Sequence, residues 1–341
     1  MFRTRITEEY RVELPFLNAG MAFQAGVDLV VAVCEAGGLG VMGASAMSPT
    51  FFREQLRAVR ARTQRPIGVD FIPSFSTAEQ ITICVQERVP LVVFFWNDIP
   101  PAWMAELKQG GVKVWMQVGS LDEARAAVQA GVDGLVVQGS EAGGHNRSSA
   151  ATFTLLPAVV DAVAPVPVVA AGGIADGRGV AAALALGAEG VWVGTRMLAS
   201  QEAFLHALVK QRIVEAQVHD TARTLIFGPE FPDAATRALR NRVVREWEGR
   251  DNPPPYHGIP PEQLPVVGQT SLYGIPAPLV RFTSFPASPD ATGDFIEEIG
   301  LLAGESTGLI HDLKPARQIV HEMMNEARKI IRGRLGHMAE A

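Results

Sequence analysis

Short runs of Val, Ile, Leu and Phe recur along the first two-thirds of the chain, and between them apolar residues fall at helical spacing. The runs cover residues 15–19, 39–43, 67–71, 91–95, 112–117, 134–138, 166–171 and 190–194, which makes eight. They are apolar almost without alternation, as strands buried on both faces of a parallel sheet are. The segments between them carry helix signals. Ser48 and Pro49 supply an N-cap and a proline at the first helical position. Ser120 with Glu123 three residues on reads as a capping box, and Gly131 and Gly187 each end a helix. A doubly wound sheet seldom repeats its unit so evenly. The pattern predicts an α/β fold, a (β/α)8 TIM barrel.

Residues 314–335 form a strong helical pattern with Ile319, Met323, Ala327 and Ile330 on one stripe, expected to return to the barrel as its last helix. Its basic face reads as solvated surface. Residues 201–300 are broken by "NPPPYHGIPPEQLP" and "GIPAPLVRF" and show no readable internal pattern. They are expected to be an insertion after strand eight, a lid or substrate subdomain over the barrel mouth. The division is then a barrel over 1–200, the insertion over 201–300 and a closing helix within 301–341.

Composition narrows the classes of function. With 341 residues, 48% hydrophobic and 19% charged, the chain can bury a large core. A net charge of −6 and no basic run interleaved with aromatics argue against nucleic acid and anionic membrane as partners. Cys34 and Cys84 have neither metal-ligand spacing nor the number for a disulfide framework, so a reduced, cytoplasmic setting is expected and no metal site. The opening "MFRTRITEEYRVELPF" has acids where a signal peptide needs apolar residues, and no run is long enough for a membrane span.

In a barrel the chemistry sits on loops at the carboxyl ends of the strands. Those positions read Asn18-Ala19-Gly20-Met21, Gly43-Ala44-Ser45, Asp70, Trp96-Asn97, Gln117, Gln138, Gly172-Gly173 and Gly194-Thr195. The last two pairs end strands seven and eight, the usual phosphate position. Glycine lets backbone N–H groups approach an anion, a following helix N-terminus favours negative charge, and Thr195 adds a hydroxyl. Gln117 and Gln138 could offer amides to a planar heterocycle, or simply satisfy neighbouring backbone. Met21 could pack on a ring. Together they suggest a phosphorylated, flat, polar-edged cofactor, for which FMN fits. The loop "QGSEAGGHNRSS" after strand six delivers one imidazole, His145, to the same rim.

The segments "GVDGLVVQGSEAGGHNR", "VPVVAAGGIADG" and "GAEGVWVGTRML" resemble the nitronate monooxygenases, as do "FLNAGMA", "VCEAGGLGVMG" and "LLAGESTGLI". The resemblance implies an FMN-dependent barrel that oxidises alkyl nitronates with O2 to a carbonyl compound and nitrite. It places flavin contacts on Ala19, Gly20, Met21, Asp70, Gln117, Gln138, Gly143, Gly172, Gly173, Val193, Gly194 and Thr195. It makes His145 the histidine that donates to nitronate oxygens or removes the α-proton of a neutral nitroalkane. Arg147 is a second candidate anion contact. Two positions depart from the family pattern: Gly20 stands where proline is usual, and Asp70 where asparagine is usual. An ionised carboxylate accepts hydrogen bonds but cannot donate them as asparagine does.

Flavin-dependent enoyl-acyl-carrier-protein reductases and NAD(P)H:quinone reductases resemble the same pattern and form the alternative. A flavin-binding barrel without turnover is the non-enzyme alternative. A dehydrogenase of the inosine-monophosphate type needs a nucleophilic cysteine at a strand end, whereas Cys34 and Cys84 fall in helical patterns. A homo-oligomer is compatible with the composition.

Overall fold

A computed structural model describes residues 2–96, 98–231 and 233–339. The eight expected strands are present as β1 (Phe16–Asn18), β2 (Gly40–Gly43), β3 (Ile67–Phe71), β4 (Leu91–Phe95), β5 (Lys113–Val118), β6 (Gly134–Gln138), β7 (Val168–Ala171) and β8 (Gly190–Val193). They pair in parallel in chain order, β8 returns to β1 through Leu17↔Trp192, and a parallel bridge Leu17↔Leu39 links β1 to the start of β2. The nearly closed eight-stranded α/β barrel is therefore the fold. Observed β7 starts two residues after the expected 166 because Pro167 has no N–H for the ladder.

The seven helices between strands are α1 (Val27–Glu35), α2 (Pro49–Arg60), α3 (Ala78–Gln86), α4 (Pro101–Gln109), α5 (Leu121–Gln129), α6 (Thr152–Val163) and α7 (Gly177–Ala185). Ser48 caps α2 by accepting from Phe51 N at 3.3 Å, and Gly131 and Gly187 follow their helices with φ of +89° and +95°. Inside the barrel Leu17, Leu39, Val41, Leu91, Val93, Trp115, Val136 and Val169 are buried together, at about 1.5–3 kcal/mol for each large apolar side chain. Gly134 leaves room for the Trp115 ring, since a β-carbon there would lie 2.3 Å from Trp115 Cε2.

After β8 the chain forms α8 (Ala207–Glu215), β9 (Thr221–Thr224), β10 (Thr236–Leu239), β11 (Val266–Leu272), β12 (Ile275–Val280) and α9 (Ala316–Lys329). The helix expected over 314–335 is α-helical over Ala316–Lys329 and continues as a π-helical turn, Ile330–Leu335. It lies between α1 and α7, where Gly177 N donates to Glu326 Oε2 at 2.8 Å. A β-carbon on Gly177 would meet Ala327 N at 2.4 Å, so this glycine permits the contact.

β9 and β10 pair antiparallel, and β10 pairs in turn with Gly144–His145. β11 and β12 form a hairpin through Tyr273-Gly274, both at positive φ (54° and 82°), the backbone a two-residue hairpin turn requires. β11 is mostly half-buried, with Thr270 as its buried residue, so its sequence carries no hydrophobic alternation. Among the described residues no helix is long and apolar enough to cross a membrane.

Candidate active site

A cavity of about 250 Å³ opens at the carboxyl ends of the strands. Ala19, Gly20, Met21, Asp70, Gln117, Gln138, Gly143, His145, Gly172, Gly173, Gly194 and Thr195 all line it, so the topology gathers nearly every expected site residue. Val193 is the exception. Its side chain is buried in the core between barrel and helices, and only its carbonyl reaches the rim, accepting from Ala19 N at 2.9 Å. Arg147 also fails its expectation: its guanidinium is paired with Glu123 at 2.7 Å on the surface, outside the cavity lining. Asn97 lies outside the described residues.

The two glycine turns at the ends of β7 and β8 border the cavity. Among the described residues, none of the amides of Gly172, Gly173, Ile174, Gly194 and Thr195 donates to a protein acceptor. Buried backbone N–H groups rarely stay unpaired, so this group is equipped for an anion. The expected contribution from helix termini is smaller than foreseen. α7 begins only at Gly177 and is already capped by Asp176, which accepts from Arg178 N at 2.9 Å and Gly179 N at 3.2 Å. The helix after β8 is four residues long, Thr195–Leu198.

Gly172 and Gly173 hold φ of +98° and +76°, which side-chain-bearing residues avoid. Gly194 has ordinary φ, and a β-carbon there would meet nothing closer than Ala19 Cβ at 3.5 Å. Gly143 serves packing: a β-carbon would collide with Ala303 C and Gly304 N at 2.4 Å. That crossing segment reaches the rim too, because Gly304 N donates to Thr195 Oγ1 at 3.0 Å.

His145 is held more firmly than a glycine-rich loop suggests. Gly144 and His145 are the edge of the small sheet with β10, in the register Thr236↔His145. Asn146 is buried and donates to the carbonyls of Gly139 and Ala142 at 3.1 Å. α6 has no capping side chain of its own, and Glu141 takes that role by accepting from Thr152 N at 2.9 Å. The imidazole packs against Trp96 (centroids 4.6 Å) and Phe231 (4.5 Å), and Phe75 lies beyond Phe231 at 4.8 Å with its ring tilted by 47°. His145 lines the cavity, and its Nε2 is buried without a partner among the described residues. Burial lowers its pKa to about 4, so it is neutral near pH 7.

Asp70 is buried at the end of β3, and burial raises its carboxyl well above the usual carboxylate range. Gln138 Nε2 stands 3.4 Å from the His145 carbonyl, a long hydrogen bond, so one glutamine partly serves the backbone; among the described residues the Gln117 side chain has no hydrogen-bond partner, and it lines the cavity.

Sequence reasoning missed the walls supplied by the segment after β8: Phe231, Ser284, Phe285, Pro286 and Leu205. Glu230 holds this wall in place, accepting from Ser284 Oγ at 3.2 Å and from Thr283 Oγ1. The Tyr273 hydroxyl lies 2.9 Å from the Gly43 carbonyl and 3.0 Å from that of Ser45, and it accepts from Phe23 N at 3.1 Å. Only the turn letters of "FGPEF" and "LYGIP" marked these places in the sequence.

The family model described as nitronate monooxygenase matches residues 3–81 and 74–326. A Mycobacterium tuberculosis protein named as (3aS,4S,5R,7aS)-5-hydroxy-7a-methyl-1-oxo-octahydro-1H-indene-4-carboxyl-CoA dehydrogenase is 37% identical, over 72% of this chain and 68% of its own. A Staphylococcus aureus protein named "Probable nitronate monooxygenase" is 32% identical, over 72% of this chain and 80% of its own. Among solved structures, FabK from Thermotoga maritima superposes with a TM-score of 0.81 at 33% identity, covering 99% of this chain and 100% of that one. The chain belongs to the nitronate monooxygenase family and is a flavin-dependent oxidoreductase.

Proposed function

We propose that the chain binds FMN and oxidises alkyl nitronates with O2 to a carbonyl compound and nitrite. The observation that carries the cofactor is the group of unpaired amides at Gly172, Gly173, Ile174, Gly194 and Thr195 around one end of the cavity. They suit a phosphate, Gln117 and Gln138 suit the edge of a flat heterocycle, and Met21 suits its face. FMN, when bound, supplies the electron-accepting ring; the protein supplies position and electrostatics. His145 meets the substrate as a neutral imidazole. In one tautomer the imidazole donates to a nitronate oxygen, and in the other it accepts the α-proton of a nitroalkane. Trp96, Phe231 and Phe75 exclude water around it, which strengthens either contact. We read residues 201–300 as the lid, because Phe231, Ser284 and Phe285 wall the substrate side.

The absorption spectrum of the purified protein tests the cofactor. A yellow protein that releases FMN on denaturation supports the reading, and a colourless one that takes up no FMN contradicts it.

One observation favours a second reading, an NAD(P)H-dependent flavin reductase. The T. maritima FabK structure matches 99% of this chain at 33% identity, and the same cavity would serve such a reaction.

A further inference from the structure

Asp70 lines the cavity with 6% of its surface left. Its strand neighbours are Gly43 on β2 and Val93 on β4, and Gly20 covers its β-carbon. Among the described residues no cation and no hydrogen-bond donor meets its carboxyl. The titratable group facing it is Tyr273, at the tip of the β11–β12 hairpin, and the Tyr273 hydroxyl is engaged with the carbonyls of Gly43 and Ser45 and with Phe23 N. The other titratable side chain of the cavity lining, His145, is neutral. An ionised carboxylate in this setting would be desolvated with nothing to compensate it. Burial alone pushes its carboxyl well above the usual carboxylate range, and the direction left open to it is the cavity.

We propose that Asp70 is a neutral carboxylic acid at physiological pH and donates its O–H to an acceptor atom of the ligand in the cavity. Resting on the FMN reading, the acceptor is a carbonyl oxygen or unprotonated nitrogen of the flavin ring. A neutral acid can donate where a carboxylate cannot, so it takes over the work of an amide at this position. It also adds no negative charge against an anionic substrate. Unlike an amide, it makes the contact dependent on pH.

Infrared difference spectroscopy on the protein with and without FMN, using carbon-13-labelled aspartate for assignment, tests this. The wild type at pH 7 should show an aspartic-acid carbonyl band that disappears in Asp70→Asn and moves to lower frequency when FMN binds. Should Asp70→Asn not fold, the wild type still decides: the band must convert to carboxylate bands as pH is raised. No aspartic-acid band at pH 7 overturns the proposal, and a band that bound FMN leaves unmoved overturns the contact. If FMN does not bind, the cofactor reading and the contact fall together, while the band in the free protein still decides the protonation.

Discussion

The backbone of Gly20 and the side chain of Asp70 compete for one space: a β-carbon built on Gly20 would lie 2.1 Å from Asp70 Cβ and 2.8 Å from its Cγ. The contact accounts for the glycine at position 20 but not for the choice of Asp over Asn at position 70, because both carry the same β- and γ-carbons. With no side chain at position 20, the loop after β1 can close directly over the end of β3.

Gly20→Ala should destabilise the protein by about 1–3 kcal/mol through overpacking. The collision is with the β-carbon of Asp70, so Asp70→Ala should not relieve it, whereas Asp70→Gly should. Chemical denaturation of the two double-mutant cycles measures this. Equal relief by both changes would show that the carboxyl, and not the β-carbon, sets the contact.

Gly194→Asp probes the anion site without backbone strain, because φ at Gly194 is −99° and its β-carbon position has only ordinary contacts. A carboxylate beside unpaired amides should lower FMN affinity at least tenfold with little change in thermal stability. Undiminished FMN binding would move the phosphate elsewhere. Gly173→Asp should also expel FMN, but the φ of +76° there adds strain to the result.

His145 imposes a sign on the acid limb of stability. Its folded pKa of about 4 lies below the ordinary histidine value of 6.5, so the unfolded chain takes up a proton in that window that the folded chain refuses. Stability should fall as pH drops from 6.5 towards 4, by up to about 3 kcal/mol from this group, and be unaffected by it above 6.5. His145→Asn should remove that part of the pH dependence in denaturation curves while lowering turnover on nitronates, or abolishing use of neutral nitroalkanes, with FMN still bound. Unchanged rates on both substrates would remove His145 from the chemistry.

Tyr273→Phe should cost about 1–3 kcal/mol, because the buried carbonyls of Gly43 and Ser45 and the amide of Phe23 lose their partner. A thermal midpoint equal to that of the wild type would show that the hairpin tip does not anchor the rim.

Strand-end positions were legible because a buried parallel strand leaves a plain apolar run, and the residue after it must be at the rim; Gln117, Gln138 and Thr195 were found this way. Val193 was misjudged because its neighbours Trp192 and Gly194 face the cavity while its own side chain turns outward into the helix layer. Arg147 follows His145 by two positions yet leaves the cavity for Glu123. The wall formed by Phe231, Ser284 and Phe285 was illegible because it depends on long-range contacts such as Glu230 with Thr283 and Ser284. The burial that lowers the His145 pKa and raises that of Asp70 is likewise assembled by the fold, as when β10 pairs with Gly144–His145.

Anaerobic stopped-flow mixing of the FMN-loaded protein, with an alkyl nitronate in one run and NADPH in another, tests the central claim most directly. Bleaching of the flavin absorbance by the nitronate, with none by NADPH on the same timescale, is the predicted result. Rapid bleaching by NADPH with no response to nitronate would contradict it.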